Sequence, residues 1–384
     1  MLCQAAWTAE PIERGTALQG PTVPTGESTN AWPEDSAVAI TGLDVGRSAA
    51  DRWIPSQLLR DRAMTVRHLY QSAGADRRRG AAVLANFFCT QADYQDSVGA
   101  AAGMKAYYAW IAAGTQLGII ESAVEQLHEQ QQLLQRLIES GVTPSFDLSS
   151  IERADLKLQD LRLQAQQQQR QAATGLLELT GLDLQEAVVE RLDVMPTALD
   201  CDGLQTLALS TRADLQAWRN LYRCTDAGSA DMLARALNTG IGNWGIPLPP
   251  QSRLPQLFGC DRSGCLAADL RREIWKTIEL QERWIRIDVG EKCAHLETAY
   301  QRMELAAGLV ASWRSRLERL EELERYGRGR PEEAASASAE LHQAEAEWVM
   351  RRFEARLAEI ELAESIGGLA RRCREGSAWF VAAP

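Results

Sequence analysis

The sequence is short of stops and of rings. Thirteen of its 384 residues are proline, and aromatic residues make up 6%. None of the prolines stands between Pro55 and Pro144, Pro144 and Pro196, Pro255 and Pro331, or Pro331 and Pro384. Proline removes a backbone donor and clashes inside a helix, so these four stretches are open to long helices. Their Ala, Leu, Gln, Glu and Arg content suits helix rather than sheet. No run approaches the ~20 apolar residues that a membrane-spanning helix needs. Cations are in deficit, 41 Lys and Arg against 52 Asp and Glu, a formal net charge of −11. That balance excludes a general nucleic-acid binder, which needs a basic face.

Other signals are missing too. The opening Met1–Trp7 has neither a basic start nor an apolar core of ~7–15 residues, so it does not read as a signal peptide. The expectation is either a cytoplasmic protein or a sequence that starts inside a longer precursor. Lipidation of Cys3 is left open. The eight cysteines are scattered, and only Cys260 and Cys265 are close. A zinc site wants two such pairs or a Cys/His set, and His68, His128, His295 and His342 supply none. The cysteine pair is open to a local disulfide or to free thiols. There is no Gly-rich phosphate loop and no nucleophile signature. Glu318, Glu321, Glu322 and Glu324 alternate with Arg314, Arg316, Arg319 and Arg325 at helical spacing, which fits solvated pairing better than acid–base work. No enzyme activity and no cofactor are expected.

What is present is periodicity. Residues 1–55 hold five prolines and turn chemistry throughout, and they read as an extended or disordered arm. Residues 56–195 read as one helical repeat and 196–384 as a second. From Ser56 to Ser140 the chain reads as helix, with a break near Gly74 to Gly80. Its last part carries a heptad seam of Leu117, Val124 and Ile138 with Ile120, Leu127 and Leu134. Gly141 and Pro144 stop that helix. A second runs to about Leu179 on a seam of Ile151, Leu158, Ala165, Ala172 and Leu179, with Ala154 and Leu161. Two long helices joined by a short turn predict an antiparallel hairpin.

The same plan recurs. A helix from about Cys265 to Tyr326 carries Leu296, Met303, Val310 and Leu317, interleaved with Ala299, Ala306, Trp313 and Leu320. Gly327–Pro331 breaks it, and a last helix to Ile366 carries Ala334, Leu341, Trp348, Ala355 and Leu362. Gly141 and Gly327 are 186 positions apart, as are Gly181 and Gly367. Matching stops and matching heptad phase predict an internal duplication. The fold class expected is all-α: long antiparallel coiled-coil hairpins, internally duplicated. The seams of one hairpin bury little area, so oligomerisation is expected as well. Asn238–Gly264, rich in glycine and proline, reads as a crossing loop. Gln164, Gln166–Gln169 and Gln171 read as a wet helix face, or as the lining of a polar lumen or an inter-subunit hydrogen-bonded face. Asp76–Arg79 reads as a surface charge run or a contact for anionic lipid or a partner.

In the order of these features the sequence resembles the TolC-like outer-membrane efflux proteins. The resemblance covers roughly residues 56–370. It is carried by the Gly141–Asp147 turn, the Ile151–Gly181 helix with its Leu179-Thr180-Gly181 end, their counterparts at Tyr326-Gly327 and Ile366-Gly367-Gly368, and the Arg212-Ala213-Asp214-Leu215 string opening a helix of the second repeat. It implies a homotrimer forming a periplasmic helical tube in an export or efflux assembly of the cell envelope. It also implies that the hairpin tips meet a membrane-fusion adaptor: Gly141, Val142, Pro144 and Phe146 in the first, Gly327, Arg328, Gly329 and Pro331 in the second. Family members insert a pair of β-strands in each half to build an outer-membrane barrel. Such strands need ~9–11 residues of alternating polarity. Ser56–Ser140 holds no such pair, so a helical tube or rod without a barrel is expected. The alternative is a coiled-coil scaffold with no transport role.

Overall fold

A computed structural model describes residues 40–140, 148–184, 189–234, 262–326, 328–329, 331–378 and 380. Its helices are α1 Gly42–Arg52, α2 Ile54–Leu69, α3 Ala75–Glu139, α4 Leu148–Thr180, α5 Cys201–Thr211, α6 Ala213–Cys224, α7 Arg262–Arg325, α8 Pro331–Ile366 and α9 Leu369–Glu375. At ~1.5 Å per residue, α3 and α7 are each close to 100 Å long. Among the described residues there is no strand, only a single bridge between Ile40 and Val189.

The duplication is visible in the helix ends. Glu139 and Arg325 end α3 and α7, and Thr180 and Ile366 end α4 and α8, both 186 positions apart. A second match lies upstream. The pairs α1–α2 and α5–α6 begin 159 positions apart, at Gly42 and Cys201 and at Ile54 and Ala213. In each pair one extended residue links the helices, Trp53 (φ −66°, ψ 107°) and Arg212 (φ −63°, ψ 119°). The change of offset comes from the connection to the long helix, Tyr70–Gly74 in the first repeat and 225–261 in the second.

This corrects the arm that was expected to reach residue 55. Thr41 and Asp44 form a reciprocal capping box that starts α1, and Pro55 sits in the first turn of α2, where its missing N–H is harmless. Among the described residues, helix therefore begins at Gly42, inside the stretch expected to be arm. The break expected near Gly74 to Gly80 is at Tyr70–Gly74, and α3 already includes Gly80.

The four long helices lie side by side in the order α4–α3–α8–α7, and α4 and α7 share no packed face. Nearer the start of α3 the order is α2–α3–α6–α7. The faces of α3 explain this. Asp96, Gly99, Gly103 and Gly114, at helical spacing, meet α1, α2 and α4: Arg60 pairs with Asp96, the link residue Trp53 packs on Gly99, and Ala49 and Gln169 approach Gly103 and Gly114. Tyr94, Lys105 and Gln116, eleven apart, meet Arg212, Glu364 and Ala346 on the other side. Seam residues Leu296, Met303, Val310, Leu341, Ala355 and Leu362 are buried between α7 and α8. In α4, Ala165 is buried as expected, but Leu161 is 37% exposed and faces a groove instead.

Candidate functional site

A row of helices has two edges, here α2 with α4 on one side and α7 on the other. The exposed large apolar side chains sit there. Among the described residues all but Met195 and Tyr326 lie on α2, α4 or α7, and none lies on α1, α3, α5, α6, α8 or α9. On α4, Leu156, Leu163 and Leu177 fall on one heptad line. On α7, Trp284, Leu305 and Leu309 stand out, with Leu305 75% exposed. Isolated exposed leucines need no explanation, but rows of them on unpartnered helix faces mark an association surface.

Between the edges the row is tied by polar contacts. Lys105 on α3 reaches Glu364 and Glu361 on α8 at 3.3 and 3.7 Å, and Lys292 on α7 reaches Glu361 at 2.8 Å. The link residue Arg212 pairs with Asp214 at 2.8 Å and Asp288 on α7 at 3.4 Å, and stacks over Tyr94 on α3 at 5.1 Å. Tyr300 donates to Glu359 at 2.7 Å, and Tyr108 donates to Glu190. Burial pushes the Glu359 carboxyl above its ordinary range, against the lowering effect of Arg356 and Tyr300. Asp96, its side chain wholly buried, is gripped by Arg60 at 2.6 Å and Arg374 at 2.8 Å. Apart from the Tyr108–Glu190 bond, which reaches the non-helical 189–200 segment, these are contacts between helices or at their junctions, each charge matched by a partner. No group of three or more His, Cys, Asp and Glu fit to hold a metal occurs among the described residues.

Of the tip residues, Gly141, Val142, Pro144, Phe146 and Gly327 lie outside the described residues, as do Cys260 and most of Asn238–Gly264. Pro331 opens α8. Arg328 and Gly329 both donate their backbone N–H to the Leu323 carbonyl at 2.9 Å, closing α7. A Cβ on Gly329 would meet the Glu324 nitrogen at 2.5 Å, so glycine there serves the turn. Arg328 and Tyr326 are exposed beside it. A groove of 540 Å³ runs between α3, α4 and α8, lined by Ile120, Leu127, Leu161, Gln164, Gln168 and His342 among others. The glutamine run thus faces partly solvent and partly this groove.

No protein-family model and no curated protein matches the sequence. Solved structures do. The chain is similar to CusC, known from crystal structures of its folding and transmembrane channel formation, with 13% identity, a TM-score of 0.63, and coverage of 92% of this chain and 99% of that one. The Campylobacter jejuni CmeC outer membrane channel matches with 10% identity and a TM-score of 0.63 over 91% and 94% of the two chains. The open-state Neisseria gonorrhoeae MtrE outer membrane channel matches with 12% identity and a TM-score of 0.62 over 85% and 89%. The chain has the TolC-like channel fold.

Within the TolC-like fold, one connection stands out. Only Tyr70–Gly74 joins α2 to α3, too short for the strand pair expected of the family in the first repeat. The clamps and edge leucines were not singled out in the sequence. The Leu156–Leu163–Leu177 line could have been found, because it is a second seven-residue line beside the seam of α4. Arg212 was read only as part of the family string that opens a helix; its role as a junction depends on Tyr94 and Asp288, distant in sequence.

Proposed function

We propose that this chain is a cell-envelope component of an export or efflux assembly, in which three copies close edge to edge into a periplasmic helical conduit. The observation that carries this reading is that, among the described residues, the exposed large apolar side chains other than Met195 and Tyr326 lie on α2, α4 and α7. A row with two apolar edges and a clamped middle is suited to a closed ring, because heterologous contacts of edge on edge close when the rotation allows. The conduit is passive, without cofactor or catalysis. At the hairpin tips Gly141, Val142, Pro144 and Phe146, with Gly327, Arg328, Gly329 and Pro331, form the contact for a periplasmic adaptor.

A second reading, a coiled-coil scaffold without transport, is favoured by the short Tyr70–Gly74 connection. Mass measurement of the purified chain and fractionation of cells expressing it separate the two. A trimer in the outer-membrane fraction supports the conduit. A trimer elsewhere supports the scaffold, and a stable helical monomer overturns both.

A further inference from the structure

The row has a basic end. Residues 60–79 carry six arginines against two aspartates, a formal +4 within a chain of −11. The far part of the row has the opposite sign, with five glutamates and no Lys or Arg from 331 to 350. Contacts tie the start of α3 to the segment after α6, and α6 in turn to α7. Arg79 pairs with Asp226 just after α6 at 3.1 Å, a Cβ on Gly80 would meet the Met232 sulfur at 2.9 Å, and Arg271 of α7 stacks over Tyr222 of α6 at 4.8 Å.

Not all of this charge is spent inside the protein. Arg62, Arg67, Arg77 and Arg78 are exposed and make no ion pair among the described residues. Beside them stands Leu69, 70% exposed; on the far side of α6, Trp275 of α7 packs on Tyr222 with ring centres 5.5 Å apart. A cavity of 720 Å³ opens between Val66, Leu69, Tyr70, Leu84 and Met232, with Arg77 in its wall. Free phosphate or an acidic peptide would use the arginines and leave the apolar groups without a role. A phospholipid surface uses both, since anionic headgroups attract arginine while an exposed leucine enters the boundary of the acyl region.

We propose that the end of the molecule at the α2–α3 turn docks peripherally on an anionic phospholipid leaflet. The surface is made by the four exposed arginines with Leu69. Docking is electrostatic and reversible, and it does not depend on ring closure, so a monomer docks as well.

The test is flotation of the full chain with vesicles of phosphatidylglycerol and phosphatidylethanolamine, or of phosphatidylcholine alone. The protein is expected to float with the first and not the second, and to be released by salt. R77E/R78E should weaken flotation by about tenfold or more. R316E/R319E, an equal change of net charge near the other end of α7, should float like the parent. Helical circular dichroism checks that both variants fold. Equal flotation with phosphatidylcholine overturns the proposal, and so does equal loss in both variants. Full release by a short oligonucleotide at matched charge also overturns it, because that marks a general polyanion surface.

Discussion

Gly181 and Gly367, 186 positions apart, both turn the chain into the left-handed region, with φ 71° and 91°, one residue beyond the ends of α4 and α8. Each does so against an arginine at the helix junction of its own repeat. A Cβ on Gly181 would strike the Arg52 guanidinium at 2.1 Å, and one on Gly367 would meet the Arg212 side chain at 2.9 Å and its Cα at 3.1 Å. Arg52 closes α1 and Arg212 heads α6, so each repeat sets an arginine of its helix junction against the turn, one position earlier in the first repeat than in the second.

That joint gives a first prediction. Gly367→Ala combines positive φ with a close approach to Arg212 backbone, whereas Gly368→Ala, at φ 74°, has open space around it. Gly368→Ala should destabilise by about 1 kcal/mol, the backbone term alone, and Gly367→Ala by about 2–3 kcal/mol. Denaturant midpoints at unchanged slope measure the difference. A larger loss at position 368 would show that Arg212 does not press on the turn.

The Asp96 clamp makes stability depend on acid. Burial alone would raise this carboxyl, but hydrogen bonds from Arg60, Arg374 and Ser56 outweigh it and hold Asp96 below the ordinary carboxylate range. A folded pKa below the unfolded one gives stability that is full above the unfolded value of about 4 and is lost as pH falls through the folded value. The stability difference between the parent and Asp96→Asn should therefore be about 1–3 kcal/mol at pH 7 and shrink below pH ~4. A difference that stays flat down to pH ~2 would remove the carboxylate from the account.

Much of this architecture is legible in the sequence, for a physical reason. Helix stops and heptad phase are local properties, so Gly181, Gly367 and the Leu296–Val310 seam show themselves in one dimension. The start of the first repeat was hidden because Pro55 looks like a breaker until it is placed in the first turn of α2. The clamps were hidden because Asp96 and Arg374, or Arg212 and Asp288, meet only after the row has assembled. Tip residues such as Phe146 were legible only as turn chemistry and by resemblance.

Thiol chemistry reads out the packing between α5 and α7. Burial and the neighbouring Cys201 push the Cys293 thiol up to about 12, and burial pushes Cys373 up to about 11. Cys224 is exposed. Iodoacetamide at pH 8 should modify Cys224 in minutes and leave Cys293 and Cys373 untouched until denaturant is added, as followed by peptide mass mapping. Early labelling of Cys293 would mean that α5 opens away from α7.

At the first tip, Phe146→Asp should leave helicity unchanged and weaken capture of a co-expressed periplasmic adaptor in a crosslinking assay. Turn chemistry explains Gly141 and Pro144 but gives no reason for an aromatic residue between them and the next helix. Capture at parental strength would leave the adaptor proposal without a side chain to support it.

The edges carry the assembly, so they are where it should break. Leu163 on α4 and Leu305 on α7 are 66% and 75% exposed in the single chain and lie on opposite edges of the row. Introducing Glu at both places puts charge on each side of the proposed contact. Burying an unpaired carboxylate is far more costly than the few kcal/mol an apolar pair contributes. Leu163→Glu/Leu305→Glu should therefore be a monomer by mass while its helical signal and melting of the isolated chain stay close to those of the parent, because neither side chain packs within the protomer. Leu117→Glu serves as the contrast, since it strikes the partly buried seam of α3 and should lower stability itself. A double edge variant that still forms the parental oligomer would show that the copies meet elsewhere.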